Sequence, residues 1–175
     1  MQKKSNQVKK IAAKVKLLIL DVDGVLTDNT LYINDDGEET KRFNVSDGMG
    51  IYLAFCAGLE IALISGRKSK STKFRAFDLK IKHVYLGVTN KIKAYQKLKK
   101  TLKLSDGQIA YMGDDVLDVS VMKKAALPIC VKDANPVVRR FAKFVTKAEG
   151  GEGAVREVID MILESKNVNP LELVL

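Results

Sequence analysis

The stretch "LLILDVDGVLTD", residues 17–28, sets four apolar side chains ahead of three carboxylates, Asp21, Asp23 and Asp28, that surround Gly24 and Thr27. Leu17, Leu18, Ile19 and Leu20 show no polar alternation, the pattern of a strand covered on both faces, as in a parallel sheet. Side chains alternate along a strand, so Asp21 and Asp23 point the same way, and Gly24 then permits a sharp turn. Two carboxylates meeting at the end of a buried strand repel one another and need a cation, a shared proton or ample water. Taken alone, the pattern equally describes a solvated Asp-rich turn that caps the next element.

The rest of the chain supplies the context. "TLYINDDGEETKRFNV" alternates apolar and polar residues on both sides of Asp36-Gly37, which predicts a β-hairpin over 30–45 with a tight turn at that dipeptide. Ser46 is placed to cap a helix carrying Ile51, Leu53, Ala54 and Phe55, and Gly58 ends it before the strand "EIALIS". Strand and helix patterns then alternate: helix 68–78, strand "HVYL", helix 91–103, strand "QIAYMG", helix 115–125, strand "LPICV", a helix opened by Asn135-Pro136, a short strand "KFVT", and an amphipathic helix over 153–165. Such βα alternation predicts a doubly wound parallel sheet in an α/β fold. "MQKKSNQVKK", with Val8, Ile11 and Val15, is a basic lead-in over 1–15 that forms a short amphipathic helix or frays.

At 175 residues, 46% apolar and 29% charged, the chain suits one domain with a sizeable core. It has neither an apolar run of membrane-spanning length nor the apolar core of a secretion signal, and it reads as cytoplasmic, with no membrane insertion. Cys56 and Cys130 lack metal-type spacing and read as small buried hydrophobes. The net charge of +9 is compatible with nucleic acid, lipid or small anions. Much of it lies in lysines such as Lys97, Lys99 and Lys100, on the wet face of a helix whose Tyr95, Leu98 and Leu102 point inward. No aromatic stacking patch or RNA-binding signature accompanies the charge, so nucleic acid is not the expected partner. His83 reads as a strand-edge residue.

In doubly wound sheets ligands bind beyond the carboxyl ends of the strands. The successive ends here carry Asp21 and Asp23; then Ser65, Gly66 and Arg67 in "LISGR"; then "GVTN" leading to Lys91; then "GDDVLD" with Asp114, Asp115 and Asp118. Acids from two strands suit Mg²⁺, and a hydroxyl, an arginine and a lysine suit an oxyanion. Each piece has an ordinary alternative, as a helix cap or a surface lysine, but their joint occurrence in this order points to phosphoryl transfer.

These residues resemble the haloacid dehalogenase superfamily, with DxDG at the first strand, Ser or Thr at the second, Lys before a later helix and GDDxxD at the fourth. The resemblance implies a Rossmann-like haloacid dehalogenase fold over a single phosphatase domain at 16–166, with 167–175 as a C-terminal tail. It implies Asp21 as nucleophile, Asp23 as general acid and base, and Ser65, Gly66 and Lys91 on the phosphoryl oxygens. Mg²⁺ would be held by the Asp21 carboxylate, the Asp23 carbonyl and Asp114, with Asp115 and Asp118 behind them. The intervals from Asp21 to Ser65 and from Ser65 to Lys91 leave room for a hairpin flap and ordinary βα units, and none for a cap domain.

"FNVSDGMGI", "LISGRKSK", "GDDVLD" and "GGEGAVREVID" together look like the capless 3-deoxy-D-manno-octulosonate 8-phosphate phosphatase family of lipopolysaccharide sugar synthesis. This closer resemblance implies a homotetramer associated through its hairpins and a small anionic sugar acid phosphate as substrate. Arg67, Asp47, Gly48 and Arg156 would lie near that substrate, and the segment holding Gly150, Gly151 and Gly153 would close a neighbour's site. Phosphatases for nine-carbon sugar acid phosphates share the scaffold. Phospho-receiver domains share the residue types but spread the acidic pair and the phosphorylated Asp over different strands.

Overall fold

The computed structural model describes residues 2–174. Strand β1 (Leu17–Leu20) is buried along its whole length and lies between β4 (Glu60–Ile64) and β6 (Ile109–Gly113). With β5 (His83–Tyr85), β7 (Leu127–Cys130) and β8 (Phe144–Val145) they form a six-stranded sheet in the order β5-β4-β1-β6-β7-β8, every pairing parallel. The chain winds outward from β1 to β5 on one side and then returns to start β6 on the other. The winding therefore reverses between β1 and β6, where open α/β sheets leave a crevice. Leu20 is level with Leu63 and with Met112, so Asp21, Ser65 and Asp114 emerge within a residue of one another at the same edge.

Helices α1 (Gln2–Ala12), α2 (Val45–Cys56) and α7 (Ala154–Ser165) pack together, and α4 (Lys91–Thr101) packs on the single-turn α5 (Val119–Met122). Helix α3 (Lys70–Asp78) contacts the hairpin, and α6 (Pro136–Arg139) is one turn opened by Asn135. The lead-in is helical: Val8, Ala12 and Val15 enter the core with the strands. At the other end, Leu173, in a 3₁₀ turn, packs on the same core. Burying each large apolar side chain of β1 is worth about 1.5–3 kcal/mol, which anchors the strand whose tip carries the acids. Among the described residues no helix is long and apolar enough to cross a membrane.

Local chemistry shifts four expectations. The hairpin strands are only β2 (Tyr32–Ile33) and β3 (Glu39–Thr40). Gly37 donates to the Asn34 carbonyl at 2.8 Å with φ 78°, a three-residue loop with its glycine in the left-handed region rather than a two-residue turn. Helix α2 is capped by Asn44, whose Oδ1 accepts from the N–H groups of Ser46 (2.7 Å) and Asp47 (3.4 Å), so Ser46 lies inside the helix it was expected to cap. The expected helix over 115–125 divides into a 3₁₀ turn (Val116–Asp118) and α5, because Asp118 turns inward to bind the backbone before it. Cys56 is exposed, on the outward side of the last turn of α2 beside exposed Tyr52; Cys130 is buried as expected.

Candidate active site

Asp21 leaves β1 buried, its N–H bonded to the Met112 carbonyl at 2.9 Å. Three residues on, the chain turns at Gly24 (φ 78°), where a Cβ would overlap the Asp114 carboxylate. Glycine is required there twice over, for the left-handed backbone and for room. Carboxylate oxygens of Asp21, Asp114 and Asp118 converge to within 4.8 Å of one another.

Asp118 is the fully buried member. It accepts from Tyr111 Oη (2.5 Å), from Lys91 Nζ (2.6 Å), and from the N–H groups of Asp114 (3.0 Å) and Asp115 (3.1 Å). These four bonds hold the "GDD" turn in shape and leave Asp118 little capacity for an ion. Lys91, the first residue of α4, bridges Asp118 and Asp21 Oδ2 (2.8 Å). Burial disfavours its charge, but the two carboxylates outweigh that and raise its pKa. Asn90 caps α4 by accepting from the Lys93 N–H at 3.2 Å, which fixes the helix start from which Lys91 reaches inward.

Charge balance shows what else the cluster can hold. Asp21 is pushed well above the usual carboxylate range by burial and by Asp118, against the pull of Lys91. Asp114 is pushed up to about 8 by burial, then by Asp21 and Asp118. Among the described residues no cation pairs with Asp114. Two crowded carboxylates short of positive charge, at hard-oxygen spacing, fit a divalent cation such as Mg²⁺. Asp115 points away from them: its Oδ1 accepts from the Val116 N–H (2.8 Å) and from Asn135 Nδ2 (3.2 Å).

Asp23 belongs to a second group of charges. Lys41 Nζ donates to Asp23 Oδ1 and lies 3.4 Å from Glu39 Oε1. Arg67 binds Glu39 Oε2 at 2.6 Å and sits 3.8 Å from Asp23 Oδ2. Burial works against the Glu39 charge, yet hydrogen bonds from Arg67, Ser69 and Lys41 lower its pKa to about 2. Ser65 is buried, its Oγ accepting from the Arg67 N–H at 3.2 Å, and a Cβ on Gly66 would meet only the Val88 carbonyl oxygen, at 3.9 Å. Sequence reasoning passed over Lys41, Glu39 and Tyr111. Alternation in "EETK" places Glu39 and Lys41 on one face of the hairpin, but which face turns inward is a tertiary fact.

Asp47, Gly48 and Arg156 are engaged elsewhere, and no hydrogen bond or ion pair joins them to Asp21, Asp23 or Asp114 among the described residues. Asp47 is buried, with its Oδ1 accepting the Arg156 N–H at 2.8 Å at the start of α7, and burial pushes its pKa up to about 6. Gly48 lies against Arg75, where a Cβ would collide. The Arg156 side chain pairs with Asp160 at 2.8 Å.

Within the chain, the glycine segment makes its close approach to the loop after β1. A Cβ on Gly150 would overlap the Gly24 carbonyl oxygen. Gly151 (φ 67°) packs on Thr27 and Asp28, and its N–H donates to the Val25 carbonyl at 3.0 Å. Gly150→Ala is therefore expected to cost about 1–3 kcal/mol by overpacking, lowering Tm by several degrees. An unchanged melting curve would contradict this account of the packing.

With this geometry in place, the relationship to known proteins is specific. The haloacid dehalogenase-like hydrolase family matches residues 80–159. The 3-deoxy-D-manno-octulosonate 8-phosphate phosphatase of Escherichia coli K12 is 46% identical over 152 residues, 87% of this chain and 81% of that protein. The crystal structure of the Yersinia pestis enzyme of that name superposes with a TM-score of 0.91 at 43% identity, covering 93% of this chain and 88% of the other. That of the Moraxella catarrhalis enzyme, in complex with magnesium, phosphate and KDO, superposes with a TM-score of 0.90 at 36% identity, covering 93% of each chain. The chain belongs to the 3-deoxy-D-manno-octulosonate 8-phosphate phosphatase family of haloacid dehalogenase-like hydrolases.

Proposed function

We propose that this enzyme hydrolyses 3-deoxy-D-manno-octulosonate 8-phosphate to the free sugar acid and inorganic phosphate, a step of lipopolysaccharide sugar synthesis. The observation that carries the proposal is the convergence of Asp21, Asp114, Asp118 and Lys91 at the edge of β1 and β6, in a chain 46% identical to a phosphatase of that specificity. Asp21 is the nucleophile and Asp23 the general acid and base. Ser65, the Gly66 backbone and Lys91 orient the phosphoryl oxygens, and the Lys91 charge works against the upward push on the Asp21 pKa. Asp21, the Asp23 carbonyl and Asp114 would hold Mg²⁺, while Asp115 and Asp118 fix the turn behind them. Mg²⁺ supplies charge neutralisation and polarisation of the phosphoryl group.

Arg67 presents a planar fork near this site, suited to the sugar acid carboxylate. Its present partner, Glu39, shows that the fork accepts a carboxylate. Exposed apolar side chains on the hairpin (Tyr32 50%, Ile33 66%) and on α3 (Phe74 75%, Phe77 83%) support assembly into a homotetramer, which we place in the cytoplasm. The test is phosphate release across a panel of sugar phosphates, run alongside light scattering. The eight-carbon sugar acid phosphate is expected to be preferred over glucose 6-phosphate by about 10–100-fold in kcat/KM, since a hydrogen bond to a charged group is worth about 1.5–3 kcal/mol and the Arg67 side chain is half exposed, and Arg67→Ala should erase most of that preference. Equal efficiency on both, or a better nine-carbon substrate, would overturn the specificity, and a monomer in solution would overturn the assembly.

A further inference from the structure

Lys41 is the one residue of the hairpin and its flanks, positions 29–42, that is buried. Its side chain is 0% exposed, while the apolar hairpin residues Tyr32 and Ile33 face solvent. Burying an ammonium costs several kcal/mol unless it is paired, and an apolar side chain in the same place would usually serve stability as well or better. The position therefore calls for a use of the charge.

Its contacts specify that use. Lys41 Nζ reaches Asp23 Oδ1 directly, and Glu39 Oε1 at 3.4 Å shares the charge. Glu39 is itself tied to the loop after β4 through Arg67 at 2.6 Å, and to the start of α3 through its carbonyl, which accepts from Ser71 Oγ at 2.6 Å. The hairpin is thus pinned at two points, on the β4 loop by Glu39 and on the nucleophile loop by Lys41. With Oδ1 engaged, Asp23 Oδ2 accepts no hydrogen bond among the described residues, and Arg67 Nε lies 3.8 Å from it. That oxygen remains available to carry a proton.

We infer that Lys41 is a positioning residue: its ammonium, delivered by the hairpin, holds the Asp23 carboxyl group so that Oδ2 serves the leaving oxygen, which makes a docked hairpin a condition of proton transfer. The inference rests on the roles proposed above for Asp21 and Asp23. In the first half-reaction a carboxylate oxygen of Asp21 bonds to phosphorus as the bond to the ester oxygen breaks. The electron pair stays on that oxygen, which takes the proton from Asp23. In the second, a water oxygen bonds to phosphorus, its proton passes to Asp23, and the bond between Asp21 and phosphorus breaks to release phosphate.

Leaving-group dependence separates positioning of the acid from a general structural effect. An aryl oxide such as p-nitrophenolate departs without protonation, whereas an alkoxide does not. In rapid-quench single turnovers, Lys41→Met is expected to slow phosphoryl transfer from the sugar acid phosphate by about 100-fold, the lower end of what a general acid supplies. The p-nitrophenolate burst should fall less than fivefold, or about 1 kcal/mol. Lys41→Arg, which keeps a cation, should restore most of the alkyl rate. Lys41→Gln provides the same comparison should the Met variant not fold. Equal losses on both esters, or none on either, would overturn the positioning role. Failure of the wild-type enzyme on the eight-carbon substrate would instead overturn the substrate assignment, and the ratio would then be read on whichever alkyl phosphate it hydrolyses.

Discussion

Asp21→Asn is expected to reduce kcat by about 10⁴-fold or more, since residues that act as a unit fail together when one is lost. An amide oxygen is a poor nucleophile and a weaker metal ligand than a carboxylate. The fold should survive, because the substitution is nearly isosteric and removes a charge that burial and Asp118 already disfavour. Lys91 keeps Asp118 as its partner at 2.6 Å. The metal-free variant should melt no lower than the wild type, since one repulsion with Asp114 has gone. Near-normal turnover in a folded variant would remove Asp21 from the mechanism.

Removal of the divalent cation is the second large effect, and its pH dependence follows from the same carboxylates. Asp114 is raised from 3.8 to about 8 in the folded chain, and Asp21 moves the same way. The folded, metal-free state therefore holds protons that the unfolded chain gives up near pH 4. Its stability falls as pH rises from about 4 towards 8. A cation takes the place of these protons, so stabilisation by Mg²⁺ should grow over the same window. At 100 times its Kd a ligand contributes about 2.7 kcal/mol. For a chain of this size that is about 5–10 °C in Tm. The shift should be largest near pH 8 and small near pH 5, and Asp114→Ala should abolish it. A chelator should stop turnover, and added Mg²⁺ should restore it. A Tm shift independent of both pH and Asp114, or full activity in chelator, would place the metal elsewhere.

The residues legible in sequence were those whose role depends on local chain geometry. Asp21, Ser65 and Asp114 each follow an apolar run, and parallel register brings such tips level whatever the loops do. Gly24 and Gly37 stand where the backbone is left-handed, a constraint carried by the residue itself. The glycines at 150, 151 and 153 stand out in the sequence, but the packing of Gly151 on Thr27 and Asp28 of its own chain does not. Asp47 shows the limit from the other side. The resemblance carried by "FNVSDGMGI" implies a place near the substrate for Asp47, yet Asn44 takes the cap and Asp47 turns inward to the start of α7, 109 positions away. Position in the chain says nothing of that partner.

The sequence by itself determined the order of elements, the apolar central strand and the gathering of acids, hydroxyl and lysine at one edge of the sheet. These follow from periodicity and handedness, which act over a few residues and admit few topologies. Only the tertiary structure decided how the charges pair. It set Lys91 between Asp21 and Asp118, put Lys41 between Asp23 and Glu39, and left Asp114 without a cation among the described residues. Ion pairing in a buried site is decided by which side chains converge within a few ångströms where water cannot screen them. Lys91 and Asp118 are 27 positions apart, and Lys41 and Asp23 are 18. Across such separations the strength of each pair depends on burial and distance, which folding creates.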